Sequence, residues 1–462
     1  MAQERGEDRI SGLPNDIIHQ ILSLLPIKSV AQTCVLSKRW RSLWLTFPDL
    51  DFTTVESLTW DAEDGGPIFA SNTEEDVLGI ERLLLKRKKE NSVLRLFRLR
   101  GALSYASLQR LIECAVALDV QKLDIEVNTN DYFNFPTAVL LHKRLLSLRL
   151  RSENHVINLP SAEAIQQGFQ SLTLLSLKRV DFHDELSSLN IFTDPFFPSL
   201  KTLALELCSG ITNLKVQLSK LLNLKVVGLE SLVEMELNTK NLEKLRVEPS
   251  LSSTGYTRVF ISSPALKGIA WFYDNIVENW IIENITNLQN VYLFGTVSEL
   301  KLKDFIAGIS HCHWLYILGP SIMMIPKCKP FNRLTTLVME IHYGPTNASA
   351  KALTFLLQSS PAIQDLTIVS RETWSSEESW NWDLASVESC LNHLKILLVV
   401  GFTGVADDMD FVRFVLKNAV ALKDVRLVPN HIDVDENVKK EVRGFRLASP
   451  QCVIEFGSPV EL

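Results

Sequence analysis

The stretch 266–294, LKGIAWFYDNIVENWIIENITNLQNVYLF, decides the fold. It opens on Leu266-x-x-Ile269-x-Trp271 and closes on Leu288-x-x-Val291-x-Leu293, one apolar spacing written twice at an interval of 288 − 266 = 22 residues. Working outward, and allowing other apolar residues for leucine, the same spacing starts at Leu94, Val120, Leu145, Leu172, Leu200, Leu224 and Leu242 on one side. On the other side it starts at Leu334, Ile363, Leu394 and Leu422, with a degraded unit around His311–Tyr316. Counting that unit, thirteen intervals span 422 − 94 = 328 residues, a mean near 25. Between Leu224 and Leu242 a second frame competes, Leu232-x-x-Met235-x-Leu237.

A spacing of i, i+3, i+5 with alternation at its end describes a short strand that sends two or three apolar side chains into a shared core. The residues between them face the other way. One such unit cannot bury its own apolar face, so units must stack, strand beside strand. The period falls within the roughly 20–29 residues of leucine-rich repeats. An ordinary α/β domain is the alternative, but its strand spacing drifts more and it tends to carry Gly-rich phosphate turns. The expectation is therefore an α/β chain whose residues 91–375 form a leucine-rich-repeat solenoid, about 13–14 units with the C-terminal ones included. The polar run 371–389, RETWSSEESWNWDLASVES, interrupts it. After it comes a larger strand–helix–strand unit that caps the array.

Composition narrows the class. The chain has 462 residues, 46% hydrophobic and 22% charged, and 72 of them are leucine, an excess that fits repeats. A formal charge of −7 speaks against general nucleic-acid binding, which needs a basic surface. No apolar run approaches the roughly 18–20 residues that cross a bilayer, so no membrane partner is expected. The charged start MAQERGEDRI lacks the apolar region of a secretory signal. Seven scattered cysteines fit reduced thiols better than a disulfide framework, which points to nucleus or cytoplasm.

The first fifty residues have a different rhythm. In Pro14–Leu25, Ile17, Ile18, Ile21, Leu22, Leu24 and Leu25 recur at helical spacing, with Pro14 in the first turn and Pro26 ending the helix. A second short helix is expected over Lys28–Cys34. A third covers Lys38–Leu45, with Ser37 as its N-cap and Trp40, Leu43 and Trp44 on one face. So small a bundle is marginal alone. Residues 53–76 read as an acidic loop around Gly65-Gly66-Pro67, followed by a helix from about Asp76 to Lys89. The Lys86–Lys89 run, KRKK, reads either as a nuclear import signal or as a solvated helix end.

The segment DRISGLPNDIIHQILSLLPIKSVAQTCVLSKRWRSLW resembles the F-box of plant F-box proteins. Leu13-Pro14, Ile21-Leu22, Leu25-Pro26, the Val35–Trp40 run VLSKRW and Trp44 carry the match. Residues from about 382 to 456 resemble the FBD domain. The match there rests on Trp382, Cys390-Leu391, His393-Leu394, Gly401-Phe402, Leu416–Ala419, Leu422-Lys423 and Ser449-Pro450-x-Cys452, with Ser389 where that family often has proline. The expected organisation is an F-box over 7–52, an acidic loop and connecting helix over 53–90, the repeats, and an FBD over 376–456. The resemblance implies the substrate-recognition subunit of an SCF-type ubiquitin ligase. Its F-box would dock on a Skp-family adaptor, and through it a cullin and a RING protein, while the repeats hold an unknown substrate protein.

The residues support docking in their own right. Leu13, Pro14, Ile17, Ile18, Ile21, Leu22, Leu25, Pro26, Val35, Leu36, Trp40, Leu43 and Trp44 are more apolar surface than so small a bundle hides. A partner groove would take the surplus; the alternative is packing on one another and on the first repeat. No C-x-x-C pair offers a zinc site, and no nucleophile, phosphate-loop or zinc-protease motif occurs, so neither cofactor nor metal is expected and the chain reads as non-catalytic. His311-Cys312-His313 is a dense but incomplete ligand cluster, and Asp407, Asp408 and Asp410 suit the start of a helix better than a calcium loop. On the outward face of the repeats, Phe272, Tyr292 and Phe294 are expected side by side as a substrate-binding row. Arg149, Arg151 and Lys178 are expected as a basic spot. Lateral packing is the alternative for both. A repeat scaffold without ligase function and a small-molecule-sensing receptor, its pocket covered by 371–389, remain competing functions.

Overall fold

The computed structural model describes residues 10, 12–53, 58–60, 67–69, 74–128, 133–140, 142–153, 157–182, 190–250, 256–273, 277–295, 303–318, 331–341, 347–370, 386–429 and 434–459. They group into two units, Met1–Ile211 with Val216–Leu221, and Thr212–Lys215 with Leu222–Leu462.

The first unit opens with helices α1 (Asn15–Leu22), α2 (Ile27–Gln32) and α3 (Lys38–Thr46). Pro14 and Pro26 each stand just before a helix, where a missing N–H costs nothing. The Ser37 hydroxyl accepts from the Trp40 N–H at 3.3 Å and caps α3 as its sequence implies. The second helix stops at Gln32, and Thr33–Val35 tighten into a 3-10 turn. Ile18, Leu22, Val30 and Leu43 form the interior of the bundle. The chain then enters a strand, Asp49–Asp51, which pairs in parallel with Leu96–Ala102. From there the ladder runs through Lys122–Asn128, Ser147–Ser152, Leu174–Lys178 and Thr202–Glu206. The F-box segment thus ends as the first strand of the repeat sheet.

Each strand obeys the expected alternation. Leu94, Phe97 and Leu99 point inward and are completely buried, as are Val120 and Ile125, with Leu123 nearly so. Each such side chain removed from water contributes roughly 1.5–3 kcal/mol. Helices α4 (Glu74–Lys89) and α5 (Tyr105–Val116) fill the returns between early strands. The segment 53–76 is not wholly loop, because Leu58–Trp60 and Pro67–Phe69 pair antiparallel.

In the second unit ten strands continue the pattern: Asn223–Val227, Lys244–Glu248, Gly268–Tyr273, Asn290–Gly295, Trp314–Leu318, Thr336–Ile341, Asp365–Ser370, Ile396–Val400, Asp424–Val428 and Val453–Phe456. The frame at Leu224 needs correcting. Leu224 lies opposite Leu245, so the unit starts at Leu221 and sends Leu221, Leu224 and Val226 inward. The competing frame, Leu232 to Leu237, belongs to a separate ladder of return strands, Glu234–Asn238, Tyr256–Ser262 and Val277–Glu283. The degraded unit starts at Cys312, whose buried thiol is pushed up to about 12, with Leu315 and Ile317 following. Repeat length sets the return. The repeats from Leu221, Leu242 and Leu266 span 21, 24 and 22 residues and return by extended chain, whereas those of 29–31 residues, from Leu334 and Ile363, return through the helices Asn347–Ser359 and Glu388–His393. Between the ladders Trp271, Trp280 and Phe305 pack with ring centres 4.5–6.0 Å apart.

The last large unit is the expected strand–helix–strand, Ile396–Val400, Ala406–Asn418 and Asp424–Val428, followed by Glu436–Arg443 and the edge strand Val453–Phe456. Gly401 turns the chain out of its strand at φ 88°, where a Cβ would fall on the Ser370 carbonyl. Trp382 and most of 371–389 lie outside the described residues. Among the described residues no helix is long and apolar enough to cross a membrane.

Candidate protein-interaction surfaces

The candidate docking residues divide by exposure. Ile18, Leu22 and Leu43, expected at the adaptor, face inward and hold the bundle together instead. Leu13, Trp40 and Trp44 are half-buried. Pro14, Ile17, Ile21, Leu25, Pro26, Val35 and Leu36 are exposed. Val35 and Leu36 keep 81% and 64% of their surface in water, and Leu24, absent from the candidate set, keeps 83%. Leu24 sits at i+3 from Ile21 and i+7 from Ile17, so the helical spacing already pointed to it. Exposed apolar side chains thus run along α1 and fill both turns between helices, an unusual amount for so short a segment.

What holds this segment in place was not legible locally. Arg87 of α4 is completely buried, and its guanidinium donates to the carbonyls of Phe47 and, at 3.2 Å, Trp44. It caps the carbonyl end of α3, where a cation complements the helix dipole. Burial pushes its pKa down from the usual arginine value to about 10, so it stays charged at neutral pH. Ser92 donates to the Leu45 carbonyl at 3.0 Å beside it. The KRKK run is therefore not wholly solvated: Lys86, Lys88 and Lys89 face water and Arg87 does not.

The basic spot is corrected by its neighbours. Strand register sets Asp51, Arg98, Asp124 and Arg149 in one row, and Arg100, Glu126 and Arg151 in the next, with signs alternating from strand to strand. Asp124 meets Arg98 at 3.1 Å and both Arg149 and Arg151 at 3.6 Å, while Arg151 reaches Glu126 at 3.0 Å. Lys178 lies between Arg151 and Glu206, the one place in these rows where two cations are adjacent. These cations are threaded through carboxylates, and the face is a charge lattice rather than a positive patch.

The structure brings Phe272, Tyr292 and Phe294 together and adds two further rings to them. Phe272 and Phe294 stack at 4.3 Å with their planes 11° apart. Tyr292 and Phe294 share one strand face, and the next strand adds Trp314, 4.6 Å from Tyr292, and Tyr316, 4.9 Å from Phe294. The Arg246 guanidinium lies over Phe272 at 5.0 Å from the ring centre. Trp314 and Tyr316 were missed because their repeat starts on cysteine rather than leucine. In the C-terminal unit Asp408 is buried, accepting from the Thr403 N–H at 2.7 Å, the Thr403 hydroxyl at 2.8 Å and the Gly404 N–H at 3.1 Å. It ties the strand exit to the start of its helix. Among the described residues no group of His, Cys, Asp or Glu could hold a metal ion.

Comparison with known proteins fits this layout. The F-box domain profile matches residues 10–51, a profile described as At1g61320/AtMIF1, LRR domain, matches 88–268, and the FBD profile matches 385–427. A protein of Arabidopsis thaliana named for its F-box, FBD and LRR repeats, At4g03220, is 32% identical over 97% of this chain and 95% of its own length. The F-box/FBD/LRR-repeat proteins At4g26340 and At2g04230 of the same plant are 26% and 25% identical, covering 97% and 90% of this chain and 100% and 88% of their own. The chain belongs to the F-box/FBD/LRR-repeat proteins. In them an F-box implies a Skp-type adaptor, and leucine-rich repeats imply protein–protein contact.

Proposed function

We propose that this chain is the substrate-recognition subunit of an SCF-type ubiquitin ligase, non-catalytic in itself, which joins a Skp-family adaptor to a cargo protein. The observation that carries the reading is the exposed apolar set Leu24, Val35 and Leu36, with Ile17, Ile21 and Leu25 beside it. Apolar side chains clustered in water on so small a bundle mark a surface that a partner's groove can take. Transfer of ubiquitin then rests on proximity: the receptor raises the concentration of cargo lysines near a loaded carrier elsewhere in the assembly. The outward face of the repeats, with its aromatic row, is the surface for cargo.

Affinity capture with the full chain, wild type beside Leu24→Glu/Leu36→Glu, tests this. Adaptor, cullin and RING protein should be lost from the double variant while cargo is retained, and the half-life of the retained cargo should lengthen. Capture of the adaptor by both baits would remove the F-box from the reading. Point substitution is preferable to deleting residues 1–50, because Arg87 would then lose the carbonyl of Trp44 and that of Phe47 together.

A further inference from the structure

Gly268 and Ala270 interrupt the outward face of the second unit. In register Gly268 lies between Lys244 and Asn290, and Ala270 between Arg246 and Tyr292. A Cβ built on Gly268 would meet nothing nearer than the Asn290 carbonyl oxygen at 4.0 Å, so the space above it is open. Two successive outward positions without bulk leave a notch one strand wide. Lys244 and Arg246 form one wall and Asn290 and Tyr292 the other, with Trp314 behind Asn290 and Tyr316 behind Tyr292 in register. Phe272 closes the end beside the Arg246 guanidinium.

The chemistry of the walls is one-sided. Phe272 and Phe294 turn their faces on each other, which leaves their electropositive edges outward. Tyr292 and Tyr316 carry hydroxyl donors and Trp314 an indole N–H. The outward positions of strands Asn223–Val227 and Lys244–Glu248 hold Lys225, Lys244 and Arg246 against Glu248, three positive charges less one negative, or +2, on a chain of formal charge −7. Arg246 pairs with Glu248 and still overlies Phe272. Rings standing edge-on do not offer the flat faces on which nucleic-acid bases stack. Ring edges, donors and cations around an open slot suit an apolar side chain flanked by carboxylates.

We propose that this notch seats an extended acidic segment of a partner protein, with one apolar or aromatic side chain over Gly268 and Ala270 and its carboxylates against Arg246 and Lys244. The inference rests on the receptor reading in one respect: the segment would be the cargo's recognition element. From Arg246 to Tyr316 is three strand spacings, about 14 Å at ~4.8 Å each, which four or five extended residues cross. A short linear segment therefore suffices.

The test uses the full chain and two degenerate pools of fluorescein-labelled peptides about a dozen residues long, each with one fixed central Phe. Acidic residues flank the Phe in one pool and basic residues in the other. Polarisation should show the acidic pool binding at least tenfold more tightly than the basic pool, and more weakly as salt is raised. Gly268→Leu, at a backbone position with no left-handed φ and with open space for the side chain, should fold normally and lose at least tenfold. Arg246→Glu should reverse the preference between pools. Equal binding of both pools, no binding of the acidic pool, or unchanged binding by Gly268→Leu would overturn the inference. Adaptor co-elution, measured on the same variants, reports the receptor reading separately: an adaptor that binds Gly268→Leu as it binds wild type leaves that reading standing when the notch fails.

Discussion

Replacing Leu24, Val35 and Leu36 together with alanine separates docking from folding. Their exposures are 83%, 81% and 64%, and full burial of a Val or Leu side chain is worth ~1.5–3 kcal/mol. Scaled by those exposures, a partner covering all three gains ~3.5–7 kcal/mol. Alanine keeps one methyl at each site, so a loss near ~4 kcal/mol is expected, about a thousandfold in affinity. Stability should hardly move, because substitutions of exposed side chains usually stay within about ±0.5 kcal/mol each. Leu43→Ala gives the opposite signature. That side chain is 1% exposed, and its truncation should cost ~2–5 kcal/mol of folding energy through the cavity it leaves. Titration calorimetry of the full chain against a Skp-family adaptor, with thermal unfolding of each variant alongside, reads both quantities. A triple variant that binds within threefold of wild type would refute the docking assignment. One that unfolds many degrees early would show that these side chains belong to the core.

Three further outcomes follow from buried polar groups. Arg87→Met keeps the apolar stem but orphans the Trp44 and Phe47 carbonyls; a loss of ~2–4 kcal/mol is expected, seen in hydrogen exchange as earlier opening of Lys38–Thr46. Asp408 is pushed up to about 7 from 3.8, mainly by burial, and Asp407 adds to the rise. The folded state therefore binds its proton more tightly than the unfolded one, and stability should fall between about pH 4 and 7, by at most ~4 kcal/mol, then level off. Asp408→Asn should flatten that dependence in thermal melts across the same range. Asp124→Ala removes the carboxylate shared by Arg98, Arg149 and Arg151; the cost should be ~1–3 kcal/mol, and added salt should narrow the gap to wild type.

The repeat architecture was legible because its signal is redundant: fourteen units state the same alternation, and one blurred frame does little harm. The frame that failed shows the limit. In LLNLKVVGL, 221–229, leucines at both Leu221 and Leu224 satisfy the pattern, and only pairing with Leu242–Val247 decides between them. Even intervals of 21 residues from Leu200 to Leu221 to Leu242 would have favoured the right frame over 24 and 18. The charge lattice was also within reach. Arg98, Asp124 and Arg149 each lie four residues after their repeat starts, Leu94, Val120 and Leu145, so their alternation is written in the spacing. Arg87 was not within reach. A basic run at a helix end reads the same whether it meets water or a distant carbonyl, and its partners lie 40 and 43 residues away. Division of the helical bundle into inward and outward residues had the same difficulty. With apolar residues on every side, only the packed structure separates Leu22 from its neighbour Ile21.

The strand Asp49–Asp51, lying against Leu96–Ala102, has a practical corollary for anyone wishing to capture partners of the repeats with a shortened chain. Cutting the chain after Thr53 would strip the outermost rung from the repeat sheet, baring a row of backbone donors and acceptors ready to recruit any passing extended chain. Such a fragment would stick to many proteins for reasons unrelated to recognition. An intact chain blunted at Leu24 and Leu36 is the cleaner decoy.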